Sequence, residues 1–349
     1  MSTRARTWIA AVALVIGCLT TPTSTDARKQ LKIVVGRLDP AQVAELRAAV
    51  PDVTFVHVAS ADEALAHIAD ADALIGILDE RLVARGAQLR WIQVLSAGVD
   101  RYRYPALVQS DITLTNAKVI QGPNVADQAL ALLLALTRQI RRAVDYGPKL
   151  GWRATRDKLY ADKTIELQGK TALVVGYGGI GSAIAERARG FGMRIEAVDP
   201  HPEKPHPEWV AALYTPDRLL EALPRADVVF IAAPLTEETE GMIDATALAA
   251  MKDGSYLINI ARGKIVDTDA LVAALRSGKL AGAGLDVTEP EPLPPEHPLW
   301  TLDSVVVTPH MGGASDQVWA RRMELVQDNV RAFTSGAPLR NVVDKERGY

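Results

Sequence analysis

The chain of 349 residues has one cysteine, Cys18, and no cluster of basic residues among its 39 lysines and arginines. One thiol cannot form an intrachain disulfide, so no disulfide scaffold holds the fold. A net charge of -3 without a lysine or arginine block argues against nucleic acid as the main partner, because phosphate binding needs a basic footprint. The six histidines are scattered without metal-ligand spacing, and no metal site is expected. Long hydrophobic runs are also missing. The two apolar stretches that invite a membrane reading, residues 8–19 and 129–136, fall well short of the roughly 20 residues a spanning helix needs. No internal repeat or low-complexity linker interrupts the chain.

What is present is an ordinary globular composition, 48% hydrophobic and 23% charged, with ample material for large cores. At about 150 residues per domain, the length suggests two domains. The first 27 residues stand apart. Arg4 and Arg6 precede the apolar run, and a Thr/Pro/Ser stretch ends at Asp26 and Ala27, the order of a secretory signal. Cleavage there would remove Cys18 and leave 39 - 2 = 37 basic against 42 - 1 = 41 acidic residues, or -4. Val15-Ile16-Gly17-Cys18 also has the form of a lipobox, which would make residues 1–17 the signal and Cys18 a lipidated N-terminus. The expected location is periplasmic or membrane-anchored, with a frayed cytoplasmic extension as the alternative; the mass of the mature N-terminus distinguishes them.

From Leu31 onward short apolar runs alternate with helical stretches: LKIVVG, a helix over 41–49, VTFVHVA, a helix from Ala61, ADALIGIL, LRWIQVLSAGVD and DITLTNA. This alternation predicts a parallel sheet covered by helices. Residues 124–146 predict one long helix, acidic at its start and basic at its end, buried between domains. A second series begins at Lys170: KTALVVG, RIEAVD, ADVVFIAA, SYLINIA, AGAGLDV and SVVVTPH, six strand-like runs that suit a doubly wound sheet, with a helix near 216–223. A final helix is expected over 315–334, able to fold back onto the first domain.

The run ALVVGYGGIG places Gly176, Gly178 and Gly181 as G-x-G-x-x-G between a buried strand and a helix. In that context Gly176 permits a tight turn, Gly178 the close approach of a pyrophosphate, and Gly181 helix-strand contact, with the helix N-terminus facing the phosphates. RIEAVD ends in Asp199, 199 - 181 = 18 residues beyond the last glycine, where a carboxylate can accept from adenosine ribose hydroxyls. Pro200 and His201 follow, with no arginine to receive a 2'-phosphate. The cofactor expected is NAD rather than NADP.

Later strand ends carry the polar residues: Arg262 in INIARG, Asp286 and Glu291 in GLDVTEPEP, His310 in VVVTPHMGG. In a doubly wound sheet ligands lie outside the carboxyl ends of the strands, so all four are expected at one crevice. Such a set suits hydride transfer to a 2-oxo acid. Arginine offers a rigid fork of donors to the carboxylate and carbonyl oxygen. Histidine can deliver the proton, and a glutamate on its far nitrogen would stabilise the imidazolium and hold its tautomer.

VVGYGGIG, INIARGKIVD, GLDVTEPEPLP, TPHMGGAS and SAGVD together resemble the D-isomer-specific 2-hydroxyacid dehydrogenases, over nearly all of residues 31–349. The separations agree as well: 286 - 262 = 24, 291 - 286 = 5 and 310 - 291 = 19. The resemblance implies two doubly wound α/β domains: a Rossmann NAD-binding domain over 124–314 and a flavodoxin-like substrate domain over 31–123 and 315–349. It implies that His310 is the acid/base, Glu291 its partner and Arg262 the substrate-binding arginine. Cofactor contacts are implied at Gly176, Gly178, Gly179, Ile180, Gly181 and Asp199, at Ala232 and Pro234, and at Ile260, Ala261, Arg262, Asp286 and His310. The amides of Ala97, Gly98 and Val99 would hold the substrate carboxylate, an anion nest in physical terms. A small 2-hydroxy or 2-oxo acid is the implied partner, and a homodimer the implied assembly.

Departures from relatives inform too. Related formate dehydrogenases have glutamine where Glu291 stands, and the chain leaves no room for the regulatory domain of many phosphoglycerate dehydrogenases. Asp127 replaces a frequent glutamate, without an evident functional meaning. Rival readings are a non-catalytic dinucleotide-sensing binding protein of the same fold and another oxidation, such as that of phosphite. An export signal sits awkwardly with a cytoplasmic cofactor, since Arg4-Ala5-Arg6 lacks the adjacent arginines that export folded, cofactor-loaded proteins. Pocket size would depend on side chains such as Tyr102, Tyr104, Trp152 and Trp319.

Overall fold

A computed structural model describes residues 30–161, 164–203 and 205–349. The signal or lipoprotein reading of residues 1–27, Cys18 included, lies outside the described residues. Residues Leu31–Tyr349 form one compact unit.

The first sheet is built from β1 (Leu31–Val35), β2 (Val53–His57), β3 (Ala73–Ile75), β4 (Trp91–Gln93) and β5 (Thr113–Thr115). All neighbours are parallel in the order β2-β1-β3-β4-β5, the flavodoxin-like arrangement. The central strands β1, β3 and β4 are largely buried because both faces are covered, while β2 at the edge alternates buried and exposed residues. One face packs Leu74, Ile92 and Val94 against Tyr102 and Leu107. The other packs Ile33, Val35 and Trp91 against Met323, Val326 and Val330 of the last helix, Val318–Ser335. The chain end is tied to the same lobe: Val342 bridges Thr115 antiparallel, and Lys345 Nζ donates to the carbonyls of Leu107, Ser110 and Ile112.

The second sheet comprises β6 (Thr171–Val175), β7 (Arg194–Val198), β8 (Val210–Tyr214), β9 (Val228–Ile231), β10 (Ser255–Asn259), β11 (Leu280–Leu285) and β12 (Val305–Val307). Its order is β12-β11-β10-β9-β6-β7-β8, again all parallel. The order reverses between β9 and β6, which places a crevice at their carboxyl ends. The six predicted strands are therefore seven. β8 was hidden because VAALY carries two alanines, which strands disfavour, and follows a loop with four prolines. Glu196, on buried β7, is the polar exception. Burial pushes its carboxyl up, but hydrogen bonds from Arg225, Arg194 and Tyr214 outweigh that and hold it below the usual carboxylate range.

The long helix expected over 124–146 is divided between the helix Gly122–Thr137 and the helical segment Ile140–Ala161, which is itself broken at Gly151 with φ 78. Gln139 makes the division by adopting φ 54, and its buried side chain donates to Leu159 O and Thr164 Oγ1, so the turn is held from inside. The helix Gly122–Thr137 buries Leu130, Leu132 and Leu133 against β6, β10 and the helix Gly179–Gly190. Asp127 accepts from Arg187 Nε at 2.6 Å, joining these two helices at the surface. The segment expected as a helix near 216–223 is a short helix, Leu219–Ala222, flanked by 3-10 turns Pro216–Arg218 and Leu223–Arg225. No helix among the described residues is long and apolar enough to cross a membrane.

Candidate active site

The glycine loop lies at the end of β6. Gly176 adopts φ +93, and a Cβ there would fall 2.5 Å from the backbone nitrogen of Ala233. The turn after β9 therefore presses directly on the loop, with Ala232 N donating to Val175 O at 2.8 Å and Thr239 Oγ1 to Pro234 O at 2.6 Å. Gly181 is held as tightly: its Cβ would meet Gly176 O at 1.9 Å. Gly178 differs, with nothing within 4 Å of a Cβ. It caps the helix Gly179–Gly190 without a side-chain acceptor, so the first-turn N–H groups, at Gly179, Ile180 and Gly181, are left for a ligand. An open cradle, unpaired donors and a positive helix end fit a dinucleotide pyrophosphate.

Asp199 ends β7 beside this loop. Its carboxylate accepts from Tyr177 N at 3.0 Å and His201 N at 2.9 Å, which fixes its orientation and leaves lone pairs for ribose hydroxyls. It borders a cavity of about 580 Å³ lined also by Tyr177, Glu186, His206 and Trp209. Burial, then the charge of Glu186, pushes the Tyr177 phenol up, so it faces the cavity neutral at pH 7.

Across the crevice, Asp286 follows β11 and is 3% exposed. Its carboxylate takes the Thr308 hydroxyl at 2.6 Å, the Met311 N–H at 3.0 Å and the Gly312 N–H at 2.8 Å. Gln128 donates to Thr308 Oγ1 at 2.9 Å, so a helix side chain steadies the same loop. Asp286 thus organises the segment that carries His310, in addition to the nicotinamide contact implied for it. His310 N donates to Asp286 O at 2.8 Å, and His310 itself adopts φ 50. Its Nδ1 lies 2.7 Å from Glu291 Oε1, with both side chains nearly half exposed. Nε2 has no hydrogen-bond partner among the described residues.

Ile260 and Ala261, at the end of β10, are buried and can offer only backbone groups; Asn259 Oδ1 accepts from Ala261 N and Asn259 Nδ2 donates to Arg262 O. Arg262 crosses to the other lobe. A methyl on Gly98 would fall 1.8 Å from Arg262 Nη2, and Asp100 Oδ1 accepts from Arg262 Nη2 at 3.0 Å and Nε at 3.2 Å. Ala97 O accepts from Asn116 Nδ2 and Gly98 O from Ser96 Oγ, so the loop's carbonyls are occupied. The N–H groups of Gly98 and Val99 have no acceptor among the described residues, while the Val99 side chain is buried in the first-lobe core. Arg262 is joined to the histidine side through Gly263, whose Cβ would meet Thr288 O at 1.9 Å, three residues before Glu291.

The structure thus brings Arg262 to the Ala97–Val99 loop and Glu291 to His310, at the ends of neighbouring strands β10 and β11. Asp100, Asn259, Thr308 and Gln128 were not read from the sequence. Three of them sit inside quoted motifs, SAGVD, INIARG and VVVTPH, where their polar character within apolar runs was the available signal. Tyr102 is a core residue at 6% exposure, and Tyr104 packs at the margin of the same core. Trp319 lies 4.4 Å under the Arg322 guanidinium, and Trp152 is 75% exposed on the helix Ile140–Ala161.

Residues 130–312 match the family model described as D-isomer specific 2-hydroxyacid dehydrogenase, NAD binding domain. The chain is 38% identical over 293 residues to the glyoxylate reductase of Pyrococcus furiosus, covering 82% of this chain and 86% of that protein. It is 36% identical over 284 residues to the glyoxylate reductase of Korarchaeum cryptofilum, covering 80% and 84% respectively. The crystal structure of a Thermus thermophilus protein superposes with a TM-score of 0.74 at 36% identity, over 90% of this chain and 100% of that one. An NADPH-dependent glyoxylate/hydroxypyruvate reductase of Sinorhizobium meliloti, solved with NADP and sulfate, gives 0.77 at 26% identity, over 91% and 100%. With a parallel-sheet dinucleotide lobe, a polar crevice at its switch point and these likenesses in agreement, the chain belongs to the D-isomer specific 2-hydroxyacid dehydrogenases and is a 2-hydroxyacid oxidoreductase that uses a nicotinamide dinucleotide.

Proposed function

We propose that the enzyme interconverts a small 2-oxo acid of the glyoxylate type and its 2-hydroxy acid, with NADH as the preferred dinucleotide. The observation that carries this reading is the His310 Nδ1–Glu291 Oε1 contact of 2.7 Å, which leaves Nε2 without a partner among the described residues and able to serve the substrate that Arg262 would bind. Gly178, the helix start and Asp199 would hold the cofactor, which supplies or accepts the hydride when bound. The amides of Gly98 and Val99 and the Arg262 guanidinium hold the substrate carboxylate and orient its carbonyl. In reduction, Nε2–H of the imidazolium gives its proton to the carbonyl oxygen, and Glu291 stabilises the cation and keeps the proton on Nδ1. In oxidation the neutral imidazole takes the hydroxyl proton at Nε2.

NADH preference is supported by the Asp199 carboxylate, which would repel a 2'-phosphate, and by the lack of arginine or lysine among the described residues lining the adjoining cavity. The test follows NADH absorbance with glyoxylate, hydroxypyruvate, pyruvate and phenylpyruvate, then repeats the best substrate with NADPH. Turnover is expected, with kcat/KM at least about tenfold higher for NADH, equivalent to roughly 1.4 kcal/mol of discrimination. NADH binding without turnover of any of the four acids would overturn the catalytic reading, and a preference for NADPH the cofactor reading.

The dimer reading is supported by the segment Ile140–Ala161, which leaves Val144, before its break at Gly151, and Trp152 and Tyr160, after it, at 66, 75 and 82% exposure. A second copy packed on this segment would bury such apolar surface. Sedimentation equilibrium at the single-chain mass would rule it out.

A further inference from the structure

Arg262 and Asp100 are 162 residues apart in sequence and stand on different lobes, yet their side chains meet across the crevice. An arginine side chain has five N–H groups. Nε and Nη2 each give one to Asp100 Oδ1, at 3.2 and 3.0 Å, and Nη1 gives one to Ala261 O at 2.7 Å. Two remain, one on each terminal nitrogen. Nη2 occupies the space that a Gly98 side chain would need, so the guanidinium lies against the loop whose amides are unpaired.

Asp100 is itself firmly placed. It opens the 3-10 turn Asp100–Tyr102, which starts where the SAGVD loop ends, and Tyr102 anchors that turn in the first-lobe core with its N–H on Val99 O at 2.8 Å. The pair is partly sheltered, with side-chain exposures of 31% for Arg262 and 28% for Asp100. Without Asp100, a long arginine arm entering from the other lobe would have only the Ala261 carbonyl to orient it.

Resting on the function proposed above, we propose that Asp100 is the positioning residue for Arg262: it holds the Nε edge of the guanidinium so that the two remaining N–H groups face a 2-oxo acid carboxylate on the Gly98 loop. The carboxylate is then gripped from both lobes by directed donors. Because both contacts fall on Oδ1, an asparagine can reproduce them with its amide oxygen, whereas an alanine cannot.

The test compares Asp100→Ala and Asp100→Asn with the parent full chain, measuring kcat and KM for the best 2-oxo acid, KM for NADH, melting temperature, and binding of oxamate to the NADH complex by NADH fluorescence. Asp100→Ala is expected to lose about a hundredfold in kcat/KM for the 2-oxo acid, the scale of an ångström-level misplacement, with oxamate weakened in parallel. Its KM for NADH and its melting temperature should match the parent, and Asp100→Asn should recover most of the loss. An Asp100→Ala enzyme within about twofold of the parent, or an Asp100→Asn enzyme as impaired as Asp100→Ala, overturns the proposal. Should the parent reduce no 2-oxo acid, the functional reading fails on its own. Oxamate affinity then still decides for Asp100: unchanged in Asp100→Ala, it overturns the proposal, and weakened there but restored in Asp100→Asn, it supports it.

Discussion

A His310→Ala enzyme is expected to fold, still bind NADH and lose about 10² to 10⁴ in kcat, the range for removing a general acid/base. The size follows from the geometry. Nδ1 is committed to Glu291 at 2.7 Å, and among the described residues no other ionisable side chain is bonded to the ring or stands in for Nε2. Nearly half of the side chain is exposed, so its loss leaves no buried cavity. The backbone needs a control, because His310 sits at φ 50, a conformation that asparagine tolerates better than alanine. His310→Asn should therefore match the melting temperature of the parent and still lose kcat to the same degree. Glu291→Gln, which keeps an oxygen for Nδ1 but no charge, should fall between. Steady-state kinetics beside NADH fluorescence titrations decide the matter: a His310→Asn enzyme with parental kcat would remove the histidine from the chemistry.

The second large effect separates two glycines three residues apart. Gly181→Ala puts a methyl 1.9 Å from Gly176 O and 3.1 Å from Val174 Cγ1. Backbone cannot step aside as a flexible side chain can, so the helix Gly179–Gly190 must move off β6. The expected cost is about 1–3 kcal/mol of stability, with NADH affinity lost together with the loop geometry. Gly178→Ala should act oppositely. Its φ of -83 suits alanine and nothing lies within 4 Å of the new methyl, so stability should stay within about 0.5 kcal/mol of the parent. The methyl would instead stand where the pyrophosphate approaches, weakening NADH by at least about tenfold. Thermal melts and NADH titrations on both variants check this; Gly178→Ala with unaltered NADH affinity would mean the dinucleotide does not cross this loop.

Much of the architecture could be read from the chain because buried parallel strands advertise themselves. IVV of LKIVV, ALVV of TALVV and VVFI are apolar and buried. The site was legible for a related reason: polar residues such as Asp286 and His310 stand where apolar strands stop, and strand ends in such sheets face ligands. What stayed hidden depends on contacts between distant segments. Gln139 breaks a helix without glycine or proline, through hydrogen bonds to Leu159 and Thr164 that local pattern does not show. Asp100 acts on a side chain 162 residues away, and its own neighbourhood reads as an ordinary turn. Asp286 looked like a single ligand contact, but its three donors make it the anchor of the loop that bears the histidine.

The return of the last helix to the first sheet also sets an order of completion during synthesis. All seven strands of the second sheet have been made once Val307 is joined, so that lobe can close while the ribosome is still elongating. The first lobe has its five strands by Thr115 but waits for Met323, Val326 and Val330 to cover Ile33, Val35 and Trp91. The N-terminal half is thus the last to be sealed. A chain truncated near residue 310 would carry all seven strands of the dinucleotide lobe and an unfinished partner whose apolar sheet face is covered by Val43 and Leu46 but not by the last helix.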